Sequence, residues 1–290
     1  MGNSEKTGPE AGLPSAGFVG RPVDRWRDGK ATHEDDCVAE EMPIAMLYNG
    51  VSFAVMMATP HDLEDFALGF SLSEGLIASP AQLQEVEVQT LLEGIQLSMT
   101  VTDEAHGAHL ANQHERLLPG RSGCGICGTR DLEQAIRQSS PVGAGCTTTR
   151  RALENALSQL HSQQPMNAAT GAVHAAAWAD HEGDILLVRE DVGRHNALDK
   201  LIGAMHRASI DPQIGMALVT SRASYEMVTK ASSAGIALLA AISAPTALAI
   251  ELARSAGITL VGFARPGSHN VYTHPHRLLS DQPSERLQEP

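Results

Sequence analysis

The 290-residue chain is short of basic residues, aromatics and cysteine, and it has no long unbroken apolar run. With 21 Lys and Arg against 34 Asp and Glu, its formal charge of −13 excludes a uniformly basic nucleic-acid footprint. Aromatics make up 3% of the chain, too few for a platform that stacks single-stranded bases, so the core must be aliphatic. Four cysteines do not make a disulfide framework, and the reducing cytoplasm follows as the expected compartment. The most apolar stretch, residues 234–250, is broken by Ser243, Pro245 and Thr246. It reads as a buried strand and a buried helix rather than a membrane span. Residues 1–29 carry no apolar core of the kind a signal peptide or anchor needs. What the chain does have is length and a 42% hydrophobic share, enough to bury a sizeable core as one large domain or two medium ones.

Along the chain, residues 1–35 read as a polar mobile leader and 280–290 as a tail. Between them, 36–128 forms an N-terminal β/α region and 129–279 a larger α/β domain. In the first, Asn49-Gly50 between two apolar runs predicts a hairpin. Pro60 opens a helix carrying Leu63, Phe66, Ala67 and Phe70, and a strand pair turns around Glu93-Gly94. Helical patterns follow at 131–138 and 150–163. The C-terminal half alternates strand and helix: strands at 184–190, 216–220, 236–242 and 258–263, helices at 196–207, 225–234 and 245–257. That alternation predicts an α/β fold with a mostly parallel sheet covered by helices.

Three segments follow the carboxyl ends of those strands, where open α/β sheets bind ligands. They contain Arg194 and His195, then Ser221 and Arg222, then Ala264, Arg265, Pro266, Gly267 and Ser268. Two lead into helix N-termini, which favour phosphate. Arginines and small hydroxyl residues gathered there, in a chain otherwise acidic, predict a phosphate-bearing ligand. A second feature is the loop Ser122-Gly123-Cys124-Gly125-Ile126-Cys127-Gly128, flanked by Arg121 and Arg130, whose charges stabilise a thiolate. Its spacing admits half a zinc site completed by His106, His109 and His114, a thioredoxin-like pair, or a cysteine that carries sulfur. Cys37 sits among acids and is a poor nucleophile, and Cys146 is isolated. Thr170-Gly171 with His174 matches the start of a zinc-deaminase helix, but Ala176 stands where the catalytic Glu belongs. Deaminase chemistry is unsupported, and His174 is a core or ligand-lining residue.

The run from Glu190 to Lys200, the segment from Ser221 to Val228 and the stretch from Val261 to Arg265 closely resemble the formate dehydrogenase accessory sulfurtransferase family (FdhD). Asp62 to Phe70, Ser73 to Gly75, the Cys-Gly-Ile-Cys-Gly loop and His174-Ala175 carry the same resemblance, in order. It implies a cytidine-deaminase-like layered fold, homodimeric and without the deaminase zinc or any other metal ligand. It implies a cytoplasmic sulfurtransferase serving molybdenum- or tungsten-dependent formate dehydrogenase. Cys124 would take sulfur as a persulfide from a cysteine desulfurase, with Cys127 assisting. The sulfur would pass to bis(molybdopterin guanine dinucleotide), bound as substrate, with GDP as its mimic. Phe263, Ala264, Arg265, Pro266, Gly267 and Ser268 are the implied cofactor-binding stretch, joined by Arg194, His195, Ser221, Arg222 and His174 from the strand ends. The catalytic subunit of formate dehydrogenase is the implied recipient; no nucleic acid and no membrane are implied. A cofactor-binding chaperone without sulfur chemistry is the alternative.

Overall fold

The computed structural model describes residues 16–112 and 141–280. Its first elements are β1 (Phe18–Arg27) and β2 (Lys30–Ala39), an antiparallel ribbon turning at Asp28-Gly29, both at positive φ. Arg25 reaches across to Glu34 and Asp36 at 3.0 and 3.2 Å. The leader expected over residues 1–35 is thus paired strand from Phe18 onward. Most ribbon side chains are exposed, so no apolar alternation marks them in the sequence.

β3 (Met42–Tyr48) and β4 (Val51–Ala58) form the hairpin predicted at Asn49-Gly50. Helix α1 (Leu63–Ser73) begins after Asp62 rather than at Pro60. The delay has a tertiary cause: Thr59 is buried, and its N–H and hydroxyl are engaged by residues 191 and 192 of the other half. β5 (Leu83–Thr90) and β6 (Ile95–Val101) complete a four-stranded sheet of order β4-β3-β6-β5, with β3 and β6 parallel. Four of the chain's ten aromatics gather here. Tyr48, Phe53, Phe66 and Phe70 meet edge-on, with centroids 5.8–6.0 Å apart.

The larger half runs β7 (Thr148–Thr149), α2 (Arg150–Leu160), α3 (Pro165–Thr170), β8 (His174–Asp180), β9 (Ile185–Asp191), α4 (Arg194–Arg207), β10 (Gly215–Val219), α5 (Tyr225–Ser233), β11 (Leu238–Ala241), α6 (Ala247–Ala256), β12 (Thr259–Arg265), β13 (Ser268–Val271) and β14 (Leu278–Leu279). Six of these strands make a sheet of order β13-β12-β11-β10-β8-β9. β9, β10, β11 and β12 share one direction, while β8 and β13 run against their neighbours. The mostly parallel sheet expected from the sequence is therefore mixed, with an antiparallel β8 inserted between β9 and β10. His174 opens that strand rather than a helix. The run Ala175-Ala176-Ala177 has no β-propensity, and its extended state comes from burial between two neighbours.

Side-chain alternation assigns the layers. Ala217 and Val219 of β10 face a cluster with Leu198, Leu201, Met227 and Ala253, so α4, α5 and α6 cover one face. Met216 and Leu218 face Leu153, Leu157 and Leu160 of α2 on the other. Helix α1 lies against α4 and carries the smaller sheet on its far side. The contact is close enough that a Cβ on Gly69 would fall 1.7 Å from the Asp199 carbonyl, and one on Gly203 2.0 Å from that of Asp65.

Candidate functional site

The Glu190–Lys200 run does two jobs, and the first is structural. Asp191 is wholly buried; its carboxylate accepts hydrogen bonds from Thr59 N (3.0 Å), Gly193 N (2.7 Å) and Asn196 Nδ2 (2.9 Å), and it pairs with Lys200 Nζ at 2.6 Å. Lys200 also donates to the Thr59 carbonyl, and Asn196 to that of Met57. Glu190 accepts from the Met166 and Asn167 N–H groups at 2.9 and 2.7 Å, capping the start of α3. Burial pushes its carboxyl up against those two bonds. A fully partnered network of this kind fixes where β9 ends and α4 begins.

What it positions is the second job. Arg194 and His195 open α4 beside the ends of β8 and β9, and α5 brings Glu226 to them. His195 Nε2 lies 3.0 Å from Glu226 Oε2, which also accepts from Ser224 Oγ at 3.1 Å. Burial opposes ionisation of Glu226, but the His195 and Ser224 hydrogen bonds and the charge of Arg194 outweigh it and hold the carboxyl below its usual range. Among the described residues its other oxygen, Oε1, is buried without a partner, and so is Arg194 Nε. A buried orphaned polar atom costs about 1–3 kcal/mol, so two in one cluster mark a place shaped for something besides packing.

His174 stands beside them at the start of β8, half-buried. Burial first, then Arg194 and His195, lower its pKa below the ordinary 6.5. It lines a cavity of about 300 Å3 with an apolar floor (Leu157, Leu160, Val173, Ile242) and a polar rim (His161, Gln164, Asn167, Thr220). The volume is at the lower end of small-molecule sites.

Ser221 follows β10, buried, with its hydroxyl donated to the Arg222 carbonyl at 3.0 Å, while Arg222 is exposed. Beyond β11, the stretch from Phe263 to Ser268 is a tight β12–β13 hairpin rather than a loop, turning through Pro266 and Gly267, the latter at φ 80°. Phe263 sits at a bulge with φ 51°, its N–H on the Ser243 carbonyl at 3.1 Å and its ring 42% exposed. Arg265, Pro266, Gly267 and Ser268 are exposed too, but Ala264 is buried in the core and offers a ligand no side chain.

All the described candidates therefore lie along one end of the six-stranded sheet. They form two groups: His174, Arg194 and His195 near β8–β9, and Phe263–Ser268 at β12–β13. Four strand spacings of about 4.8 Å, roughly 19 Å, separate β9 from β12. Glu226 and Thr220 were not singled out as site residues from the sequence. Glu226 lies in the first turn of α5, two residues after its N-cap Ser224, and no local pattern marks it as a site residue. Cys124, Cys127 and the helix expected at 131–138 lie outside the described residues, as does His114. His106 and His109 are in a short turn of helix at His106–Asn112. Burial raises the Cys146 thiol, and Cys37 is half-buried in β2.

Comparison with known proteins gives concordant matches. The model of the FdhD/NarQ family matches residues 39–279. A protein from Xanthomonas euvesicatoria named sulfur carrier protein FdhD is 56% identical over 272 residues, 94% of this chain and 96% of its own length. One of the same name from Cupriavidus necator is 51% identical over 88% of both chains. A crystal structure from Desulfotalea psychrophila, assigned as a formate dehydrogenase accessory protein, superposes with a TM-score of 0.72 at 25% identity. The superposition covers 91% of this chain and all of that one.

Proposed function

The chain belongs to the FdhD/NarQ family, and on that premise we propose that it carries sulfur in the maturation of formate dehydrogenase. The observation that carries this reading is the 56% identity, over 94% of the chain, to a protein named as a sulfur carrier. In the finer form of the proposal, Cys124 is the carrier. Its thiolate attacks the outer sulfur of a persulfide on a cysteine desulfurase; the desulfurase cysteine leaves as thiolate, and Cys124 becomes the persulfide. Cys127, three residues after Cys124 in a glycine-rich stretch, assists the transfer. The Cys127 thiolate attacks Cys124 Sγ, the persulfide S–S bond breaks as a Cys124–Cys127 disulfide forms, and the outer sulfur leaves at sulfide level to bis(molybdopterin guanine dinucleotide), which is cargo and substrate here. The acceptor of the sulfurated cofactor is the catalytic subunit of formate dehydrogenase.

The strand ends hold that substrate. Two separated groups of residues along one sheet edge suit an elongated ligand with charge at more than one place. Arg194 and Arg222 supply charge at one part and Arg265 at the other, with His174, His195, Ser221 and the Phe263–Ser268 hairpin as further contacts. Guanidinium groups fit the phosphates of such a ligand, and the exposed Phe263 ring fits a flat heterocycle. The layering is read as that of cytidine deaminases, the assembly as a homodimer and the compartment as the cytoplasm. Among the described residues no helix is long and apolar enough to cross a membrane.

Mass spectrometry tests the carrier. Incubation with a cysteine desulfurase and cysteine adds increments of one sulfur atom to the protein, and Cys124→Ala abolishes them; labelling that persists in the variant rejects Cys124. The site is tested separately. GDP binds, and Arg265→Ala weakens it by about tenfold, the loss of one charge-assisted contact. If Cys124→Ser keeps both cofactor binding and dehydrogenase maturation, the protein is a cofactor chaperone and not a sulfur carrier.

A further inference from the structure

His174 lines the strand-end cavity with groups of both signs around it. Across the β8–β9 pair it faces Asp191; from α4 it faces Arg194 and His195; α5 adds Glu226 behind them, and His161 shares the cavity rim. The two acids are already engaged. Asp191 is taken up by Lys200, Asn196 and two backbone N–H groups, and Glu226 Oε2 by His195 and Ser224. Arg194 is engaged only in part: its charge acts on Glu226, but among the described residues its buried Nε has no partner and it makes no ion pair. His174 therefore lies beside a cation that only Glu226, already engaged by His195 and Ser224, offsets. Burial and that cation, with His195, keep its imidazole neutral at pH 7, and Asp191 offsets them only in part.

We propose that anion binding at this site is proton-linked: a phosphoryl group received by Arg194 arrives with the uptake of one proton, carried by His174. The inference rests on the reading of the strand ends as the site of a phosphate-bearing ligand. Its physics is electrostatic. A bound phosphoryl group cancels the field of Arg194 at His174 and adds an attraction of its own, so the imidazolium form becomes favourable. The imidazolium then supplies the ligand with a further charged donor beside Arg194. By linkage, affinity falls as pH rises through the window between the free and bound pKa values of His174, at most tenfold per pH unit.

The test is calorimetric titration with guanosine diphosphate mannose, whose two diester-linked phosphates do not themselves titrate near neutrality. Binding is measured in buffers of different ionisation heat between about pH 6 and 8, the range in which histidine changes charge. The wild-type protein takes up a net fraction of a proton, approaching one, and its Kd weakens with rising pH. His174→Gln and His174→Asn, two variants so that one misfolded product does not decide the matter, give a flat Kd and no uptake. His195→Gln retains the uptake. Heats independent of the buffer overturn the proposal, and so does uptake that survives in the His174 variants but is lost in His195→Gln. If the sugar nucleotide binds and Arg265→Ala weakens it while no proton is taken up, the linkage alone fails. If it does not bind at any pH, the strand-end reading fails and takes the linkage with it.

Discussion

Phe263 is an aromatic residue at φ 51°, in the left-handed region that side chains other than glycine avoid. Such a conformation costs of order 1–3 kcal/mol and persists where the surroundings enforce it. Here the bulge between Gly262 and Arg265 and the bond to Ser243 do so, and the result is a ring turned out at the sheet edge. Phe263→Gly should therefore stabilise the protein by about 1 kcal/mol, once the extra freedom of glycine in the unfolded chain is set against the relieved strain. The same variant should bind GDP more weakly. Urea denaturation and calorimetry check the pair, and a loss of stability would show that the ring packs rather than presents. At this scale the sequence was informative about which residues gather and silent about their division of labour. Arg194 and His195 were visible at a strand end; that Asp191, Asn196 and Lys200 in the same run are consumed by Thr59 and Met57 was not. Those partners lie over a hundred residues away, and no local pattern encodes them.

Among the elements, the α1–α4 crossing depends on absent side chains. Glycine inside a helix costs about 1 kcal/mol relative to alanine, so propensity alone favours Gly69→Ala. The new Cβ would sit 1.7 Å from the Asp199 carbonyl oxygen, however, and that atom belongs to helix backbone that cannot rotate away. The helices must separate, parting Ser73 from Asp199 (2.6 Å) and Arg189 from Asp65 (2.7 Å). Gly69→Ala should thus destabilise by about 2 kcal/mol, in the range for overpacked cores, read as a lower urea midpoint. A midpoint at or above that of the wild type would mean that the helices have room to part. Elements with strong local signals were legible: the Asn49-Gly50 hairpin, the buried strands at β10–β12 and the amphipathic α2. The ribbon and β8 were not, because one buries too little to show a period and the other is a run of alanines that burial alone makes extended.

For the molecule as a whole, acid is the relevant stress. His174, His206 and His269 all have pKa values lowered chiefly by burial below the ordinary 6.5. In each, the folded state holds fewer protons than the unfolded chain just below that value, so stability is fullest above pH 6.5 and is lost as pH falls toward the folded pKa. Glu226, whose carboxyl is depressed from 4.5, adds a second loss at lower pH. The thermal midpoint should fall from pH 7 to pH 5, and His174→Gln should flatten the upper part of that fall. Glu190, raised by burial, opposes the fall, so the comparison with His174→Gln decides: a pH dependence identical to that of the wild type would contradict the burial of that imidazole.

Composition and pattern by themselves determined an aliphatic α/β protein with arginines at the strand ends and one glycine-rich Cys-x-x-Cys sequence. Those features follow from local periodicity, turn chemistry and charge, which are properties of neighbours in the chain. Only the tertiary structure decided that the sheet is mixed, that the run from Glu190 to Lys200 joins the two halves, and that Glu226 and His195 meet near Arg194. These depend on burial and on contacts between distant segments, where a side chain's partner is set by the fold and not by its neighbours in sequence.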